Sequence, residues 1–124
     1  MTRKMRTPRG EIDDEVFLEH ILIAIEEIEG FVEDASGLED KKTGWAVERG
    51  LEIIGEASRN LSKAFTDKHT DIPWKDIIGM RHKVSHDYFG INPIAIKNVL
   101  KYDLPTLKPQ ITALLQQFKT DGTS

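Results

Sequence analysis

Apolar residues recur every three or four positions along most of the chain, the spacing that places side chains on one face of an α-helix. The first run predicts a helix from Glu11 to about Ala35, ended by the Ser36-Gly37 pair. The second run predicts a helix from about Asp40 or Lys41 to Phe65. The apolar face of this second helix consists of Val47, Leu51, Ile54, Ala57, Leu61 and Phe65.

Two glycines, Gly50 and Gly55, fall inside the second predicted helix. A glycine in a helix interior costs up to about 1 kcal/mol relative to alanine. Two explanations are equally good on sequence grounds. Either a neighbouring element approaches the helix backbone closely at these glycines, or the helix merely tolerates them.

Shorter helices are predicted for the second half of the chain. Residues 66–73 form a polar connection, and Pro73 suits a first helical position before a helix from Trp74 to about His86. The Tyr88-Phe89-Gly90 segment interrupts the pattern. Asn92-Pro93 then restarts it, as an N-cap residue followed by a proline at the first helical position.

The last predicted helix carries apolar positions as far as Phe118, and Asp103 and Pro105 indicate a kink or a new start within it. No stretch alternates as a strand would. The predicted architecture is therefore all-α, with four or five antiparallel helices in a bundle and apolar surface left for a homodimer. One domain is expected over residues 11–119, between disordered segments at 1–10 and 120–124.

Composition and charge narrow the class of protein. The 124 residues include no cysteine, so neither a disulfide framework nor cysteine chemistry is available. No apolar run approaches the roughly 20 residues of a membrane span, and no secretory signal is visible, which predicts a cytoplasmic protein without a membrane segment.

The net charge of −4 is unevenly spread along the chain. Residues 1–10 hold four basic residues and no acid, whereas residues 11–124 hold 13 basic and 21 acidic residues. So acidic a body argues against broad, nonspecific binding of duplex nucleic acid, although a small local site remains compatible with it. The basic segment is interpreted either as a contact for RNA or another polyanion, or as a solvated start of the chain.

The sequence contains no phosphate-binding loop and no nucleophile-elbow motif. Two of its four histidines, His82 and His86, lie four residues apart and would share a helix face. No third ligand falls at a suitable spacing from both, since Asp76 and Asp87 are the nearest acids. We therefore expect neither a metal nor a cofactor.

The stretch from Arg81 to Tyr88 holds the best candidates for chemistry. RNA carries its own nucleophile, the 2′-hydroxyl, so its cleavage needs a proton-transfer group and a cation for the phosphoryl oxygens. His86 and Arg81 are residues of those two types. On an ideal helix they would be turned apart by about 140°, so either the helix ends near His86 or a second copy of the chain completes the site. The same residues can also be explained without catalysis. Arg81 would form an ion pair, His86 would interact favourably with a helix C-terminus, and Tyr88 would pack as an aromatic side chain.

The spacing Arg81-x4-His86-x-Tyr88 resembles the R-x(4–6)-H-x-Y motif of HEPN-domain proteins. The chain is most similar to the HepT-like family, formerly the DUF86 domains, over about residues 12–118. The further segments that carry this resemblance occur in the family's order: Leu18–Leu22, Leu51–Ala57, Ile72–Trp74, Ile78–Arg81, His86–Gly90 and Asp103–Pro105.

The resemblance implies a homodimeric helical bundle and an RNase toxin of a toxin–antitoxin pair, whose partner is a minimal nucleotidyltransferase. It implies that Arg81 and His86 are the catalytic pair and that RNA is the substrate. His82 fits the family's polar residue after the arginine, and with Ser85 it is expected to help position RNA. Tyr88 matches the tyrosine that the partner nucleotidylates to silence the toxin.

Two interpretations without catalysis stay open. In the first, the chain is a non-catalytic subunit that presents substrate, or itself, to a nucleotidyltransferase. In the second, it is a plain helical dimerisation module. Growth arrest caused by this chain alone, and relieved by mutation of Arg81 or His86, would favour the toxin.

Overall fold

The computed structural model describes residues 11–34, 41–85 and 92–122. The basic segment at residues 1–10 lies outside these ranges, so its two interpretations stay predictions. The elements are α1 (Glu11–Asp34), α2 (Lys41–Asn60), α3 (Lys63–Lys68), α4 (Trp74–Ile78), α5 (Met80–Val84), α6 (Pro93–Asn98), a π turn (Val99–Asp103) and α7 (Leu104–Gly122). All of them are helical, which confirms the all-α prediction.

The two longest helices of the first half, α1 and α2, pack antiparallel along most of their length. A Cβ atom built on Gly50 would lie 2.5 Å from a side-chain carbon of Ile28, so the two helices approach closely at that point. Helix α7 packs against the same α1, and α4 and α5 pack against α2. The fully buried centre of this bundle is formed by Leu18, Ile21, Ile25, Ile28, Val47, Leu51, Ile54, Val84 and Ile111.

The second predicted helix does not continue to Phe65: α2 ends at Asn60 and a separate helix, α3, begins at Lys63. The buried carboxylate of Asp14 on α1 accepts two hydrogen bonds at 2.8 Å, from the backbone N–H and the hydroxyl of Ser62. Ser62 Oγ in turn accepts a hydrogen bond from the N–H of Phe65 and caps α3. A side chain 48 residues away therefore fixes this break, and the polar connection shortens to residues 69–73.

The predicted restart at Asn92 is confirmed, because its side chain accepts hydrogen bonds from the N–H groups of Ile94 and Ala95. The irregularity expected at Asp103 and Pro105 is a π turn, closed by the N–H of Leu104 on the carbonyl of Val99. Pro105 has no N–H to donate to the preceding turn, so a regular α-helix is disfavoured here.

Helix α7 continues to Gly122 rather than ending at Lys119. The chain after Pro109 contains no further proline, so polar residues 120–122 can continue the backbone hydrogen bonds. None of the helices in the described ranges is long and apolar enough to cross a lipid bilayer.

Candidate active site

The segment that carries Arg81 is held against the middle of α2. Gly79 breaks the predicted Trp74–His86 helix into α4 and α5, with backbone angles of φ −89° and ψ 1°. A Cβ atom on Gly55 would lie 3.0 Å from the backbone oxygen of Ile78. The glycine therefore allows α2 to pack closely against the join between α4 and α5. Buried Met80 and Val84 fix α5 on the core and direct its other side outward.

Arg81 faces a carboxylate of α2. Its Nη1 atom lies 3.8 Å from Oε2 of Glu48, and the same Oε2 accepts a 2.7 Å hydrogen bond from the hydroxyl of Ser85. The 3.8 Å separation is an ion pair rather than a hydrogen bond. Because the Arg81 side chain keeps 40% of its surface exposed, its planar fork can still receive the oxygens of a phosphate.

Helix α5 ends before the motif histidine. Val84 is its last residue, and Ser85 is extended at φ −74° and ψ 144°, with its N–H donating to the carbonyl of Arg81. Of the two explanations for the spacing of the motif, this favours the one in which the helix ends early. His82 is exposed on the outer side of α5, between Arg81 and Lys83.

The N–H of Asn92 donates a 2.7 Å hydrogen bond to the carbonyl of Val84. Ser85 and Asn92, the described residues on either side of residues 86–91, therefore both lie next to the C-terminal end of α5. His86 and Tyr88 themselves, at residues 86–91, lie outside the described residues. Their catalytic and modification roles stay predictions.

Within the part of the chain that the structure describes, no three histidine or acidic side chains are grouped closely enough to hold a metal ion. The pair His82 and His86 is not covered by this observation, because His86 lies outside the described ranges.

Sequence reasoning missed Glu48. It lies on α2, 33 residues before Arg81, in a run of charged and apolar residues typical of any amphipathic helix. Its side chain is 28% exposed, and only the packing of α5 on α2 brings it to Arg81 and Ser85. Its place between Val47 and Leu51, beside the apolar face of α2, is the signal that could have found it, but periodicity alone does not say which residues it meets.

A family model described as "Ribonuclease HepT-like" matches residues 21–114, about three quarters of the chain, including Glu48 and the whole stretch from Arg81 to Tyr88. The chain belongs to the HepT-like family. This confirms the resemblance inferred from the motif and its flanking segments.

Several curated relatives are similar over most of their length. A protein of Caldanaerobacter subterraneus subsp. tengcongensis named "Putative RNase" is 40% identical over 121 residues, covering 93% of this chain and 100% of its own. The "Probable ribonuclease HepT" of Thermococcus cleftensis is 44% identical over 101 residues, covering 79% and 92%. A "Putative RNase" of Methanocaldococcus jannaschii is 37% identical, covering 80% and 94%. No solved structure matches the chain with statistical significance.

Proposed function

We propose that this chain is a metal-independent endoribonuclease, the toxin of a toxin–antitoxin pair. It cleaves single-stranded RNA through attack by the RNA's own 2′-hydroxyl. The single observation that carries the proposal is the placement of Arg81, a partly exposed arginine held on the short helix α5 beside Glu48, within the part of the chain that the family model matches. The relatives named as ribonucleases support the same activity.

The reaction would run on two proton transfers. The 2′-oxygen forms a bond to phosphorus while the bond from phosphorus to the 5′-oxygen breaks. His86 takes the proton of the 2′-hydroxyl or protonates the leaving 5′-oxygen, because imidazole exchanges protons near neutral pH. His82 or a water molecule carries the other proton. Arg81 stabilises the negative charge that builds on the phosphoryl oxygens. The products are a 2′,3′-cyclic phosphate and a 5′-hydroxyl.

The positioning groups follow from the contacts of α5. Glu48 orients Arg81 and holds Ser85, the last described residue before His86. Exposed His82 is available to contact RNA beside Arg81. Holding the guanidinium in place before substrate arrives lowers the cost of ordering it in the transition state.

We further propose that two copies pair and that their motifs lie near the dimer axis. Exposed Val16, Ile23 and Phe31 on α1 provide apolar surface for such pairing. A nucleotidyltransferase partner would silence the toxin by adding AMP to Tyr88. The added phosphate would compete for Arg81 and its bulk would block the site.

The test is cleavage in the presence of EDTA by the full chain purified without a partner. Mixed tRNA and a single-stranded RNA serve as substrates for wild type, Arg81→Ala and His86→Ala, with Arg59→Ala as matched control. Arg59 is also an arginine paired with a glutamate, at 3.0 Å from Glu56, but it lies on the outer surface of α2. We expect wild type and Arg59→Ala to produce cyclic phosphate ends and the other two variants to lose cleavage while keeping their helical circular dichroism.

Cleavage that stops in EDTA would overturn the metal-independent mechanism, and cleavage by His86→Ala would remove His86 from it. If the wild type is inactive, its intact mass reports whether AMP is attached. An unmodified and inactive protein would support the non-catalytic subunit of a nucleotidyltransferase instead.

A further inference from the structure

A groove runs along the side of α5 that faces away from Glu48, between α4, α5, the π turn and α7. It has a volume of about 240 Å³, and buried Ile77, Met80 and Leu107 form its apolar floor. Tyr102 stands at its rim with 57% of its surface exposed. A second depression of about 420 Å³ continues it toward α6 and shares Lys83, Tyr102 and Asp103 with it.

The charges around the groove are balanced. Lys83 Nζ lies 3.6 Å from Oδ2 of Asp103, and Lys101 Nζ lies 5.3 Å from the centre of the Tyr102 ring. Asp76 is the other carboxylate that lines the groove. With two lysines against two carboxylates, an apolar floor and an exposed aromatic ring, the groove suits an uncharged planar ring better than a phosphate or a cationic peptide.

The volume agrees with that conclusion. It corresponds to the space of about eight water molecules in the liquid, which is enough for one planar base. Asp103 and Gln110 line the groove. Their carboxylate and amide groups are of the kinds that can accept from or donate to the edge of such a base.

The groove is also within reach of a strand bound at Arg81. On α5, Arg81 and Lys83 flank His82, which points outward, while Met80 and Val84 are buried. The path around the surface of α5 from Arg81 past His82 to Lys83 covers half of the circumference of the helix, a length of about 17 Å. A single strand of a few nucleotides can follow it, whereas a stiff duplex cannot wrap so tightly around one helix.

We propose that the groove is a subsite for one base of the substrate RNA, stacked on Tyr102, a few nucleotides away from the phosphate held by Arg81. This inference rests on the proposed ribonuclease function for the identity of the ligand. Stacking on an aromatic ring is tolerant of sequence and gives single-strand binders much of their affinity. Lys83 and Lys101 then lie beside the phosphates that flank the stacked base.

The test measures binding separately from cleavage. A fluorescent 2′-O-methyl RNA lacks the attacking hydroxyl, so fluorescence anisotropy gives the Kd of the full chain for an octanucleotide and for a dinucleotide without turnover. We expect Tyr102→Ala to weaken octanucleotide binding about tenfold and Tyr102→Phe to retain it within about twofold, because stacking needs the ring and not the hydroxyl. Dinucleotide binding should be equal in all three proteins.

The matched control is Trp45→Ala, which removes an aromatic ring that is 63% exposed on α2, away from the groove. It should leave the Kd unchanged, and thermal melts should show that each variant is folded. A photocrosslink from a 4-thiouridine in the octanucleotide to Tyr102, located by mass spectrometry, is the second expected result.

Equal octanucleotide affinity of wild type and Tyr102→Ala would overturn the subsite. So would a Tyr102→Ala variant that binds RNA normally but loses self-association or binding of a nucleotidyltransferase, since the groove would then be a protein interface. The two proposals can fail separately. RNA binding that depends on Tyr102 without any cleavage would uphold the subsite and reject the ribonuclease, and cleavage unaffected by Tyr102→Ala would do the reverse.

Discussion

At the residue scale, one oxygen atom organises the candidate site. Oε2 of Glu48 accepts the hydrogen bond of Ser85 and attracts Arg81, so the two ends of α5's last turn are tied to α2 through a single carboxylate. A carboxylate beside the phosphate-binding arginine has two opposed effects. It orients the guanidinium, and it repels the phosphate that the guanidinium is to receive.

Glu48→Gln separates these two effects. Glutamine retains an oxygen that can accept the hydrogen bond of Ser85, but it loses the charge that attracts Arg81. We expect kcat for RNA cleavage to fall about tenfold, because the guanidinium is less well oriented in the transition state. We expect KM not to rise, because the repulsion of phosphate is gone. Steady-state kinetics at saturating and limiting RNA measure both constants.

Asp67→Asn is the control for this variant. It breaks an exposed ion pair, with Oδ2 of Asp67 2.7 Å from Nζ of Lys63, on α3, which carries none of the candidate site residues. This contact raises the pKa of Lys63, through the hydrogen bond first and the charge of Asp67 second. Unchanged kinetics in Asp67→Asn and a raised KM in Glu48→Gln would together show that Glu48 helps to bind RNA and contradict the expected split.

Local patterns in the sequence predict the residues of the motif but not their surroundings. The motif around Arg81 and the helix cap at Asn92 can be recognised from residues that are adjacent in the sequence. Glu48 and Asp14 act on residues 33 to 48 positions away, and no periodicity specifies which carboxylate meets which partner. The predicted second helix extends beyond the observed α2 for the same reason, because the contact of Asp14 with Ser62 that ends it is not encoded in a local pattern.

At the element scale, two glycines of α2 set how closely its neighbours approach. Gly50 meets the side chain of buried Ile28, whereas Gly55 meets the backbone of Ile78. A backbone oxygen at the join of α4 and α5 can move only if both short helices move. The sequence left close approach and tolerance as equal explanations, and the structure supports close approach at both positions.

Gly55→Ala should therefore destabilise the protein although alanine favours helices. We expect the free energy of unfolding to fall by about 1–3 kcal/mol, the usual cost of overpacking, because the new Cβ would lie 3.0 Å from the oxygen of Ile78. Denaturant unfolding followed by circular dichroism measures it.

Gly30→Ala is the matched variant on α1, where a new Cβ would have nothing within 4 Å. It should raise the free energy of unfolding by up to about 1 kcal/mol through helix propensity alone. If both alanine variants stabilise the protein to the same extent, the close packing of α2 on the join of α4 and α5 is refuted.

At the scale of the whole molecule, charge divides the chain into two halves. Residues 11–71 hold 6 basic and 17 acidic residues, a net charge of −11, whereas residues 72–124 hold 7 basic and 4 acidic residues, a net charge of +3. Both Arg81 and the groove at Tyr102 belong to the second half. The region from α4 to α7 therefore repels a polyanion less than α1 and α2 do.

This distribution limits how many phosphates the protein can contact. With Arg81, Lys83 and Lys101 as the cations along the proposed path, the logarithm of the association constant for single-stranded RNA should fall with the logarithm of salt concentration with a slope of about −2. Anisotropy titrations of 2′-O-methyl RNA at several potassium chloride concentrations measure the slope.

Lys83→Gln should make this slope shallower by about 0.7, because one phosphate contact is lost. Lys119→Gln, which removes a lysine near the end of α7, should leave the slope as it is. A slope far steeper than −2 in the wild type would mean that RNA lies across many more cations than this path provides.

The π turn at Val99–Asp103 has a consequence for how the family can diversify. A π turn accommodates one residue more than the α-helix around it, and here its closing hydrogen bond spans Leu104 and Val99. Loss of a single codon after Tyr102 in this turn would rotate Tyr102 by about 100° relative to α7, away from the groove. A one-residue deletion could thus remove the aromatic ring from the groove in one evolutionary step, while the segment bearing Arg81 stayed as it is.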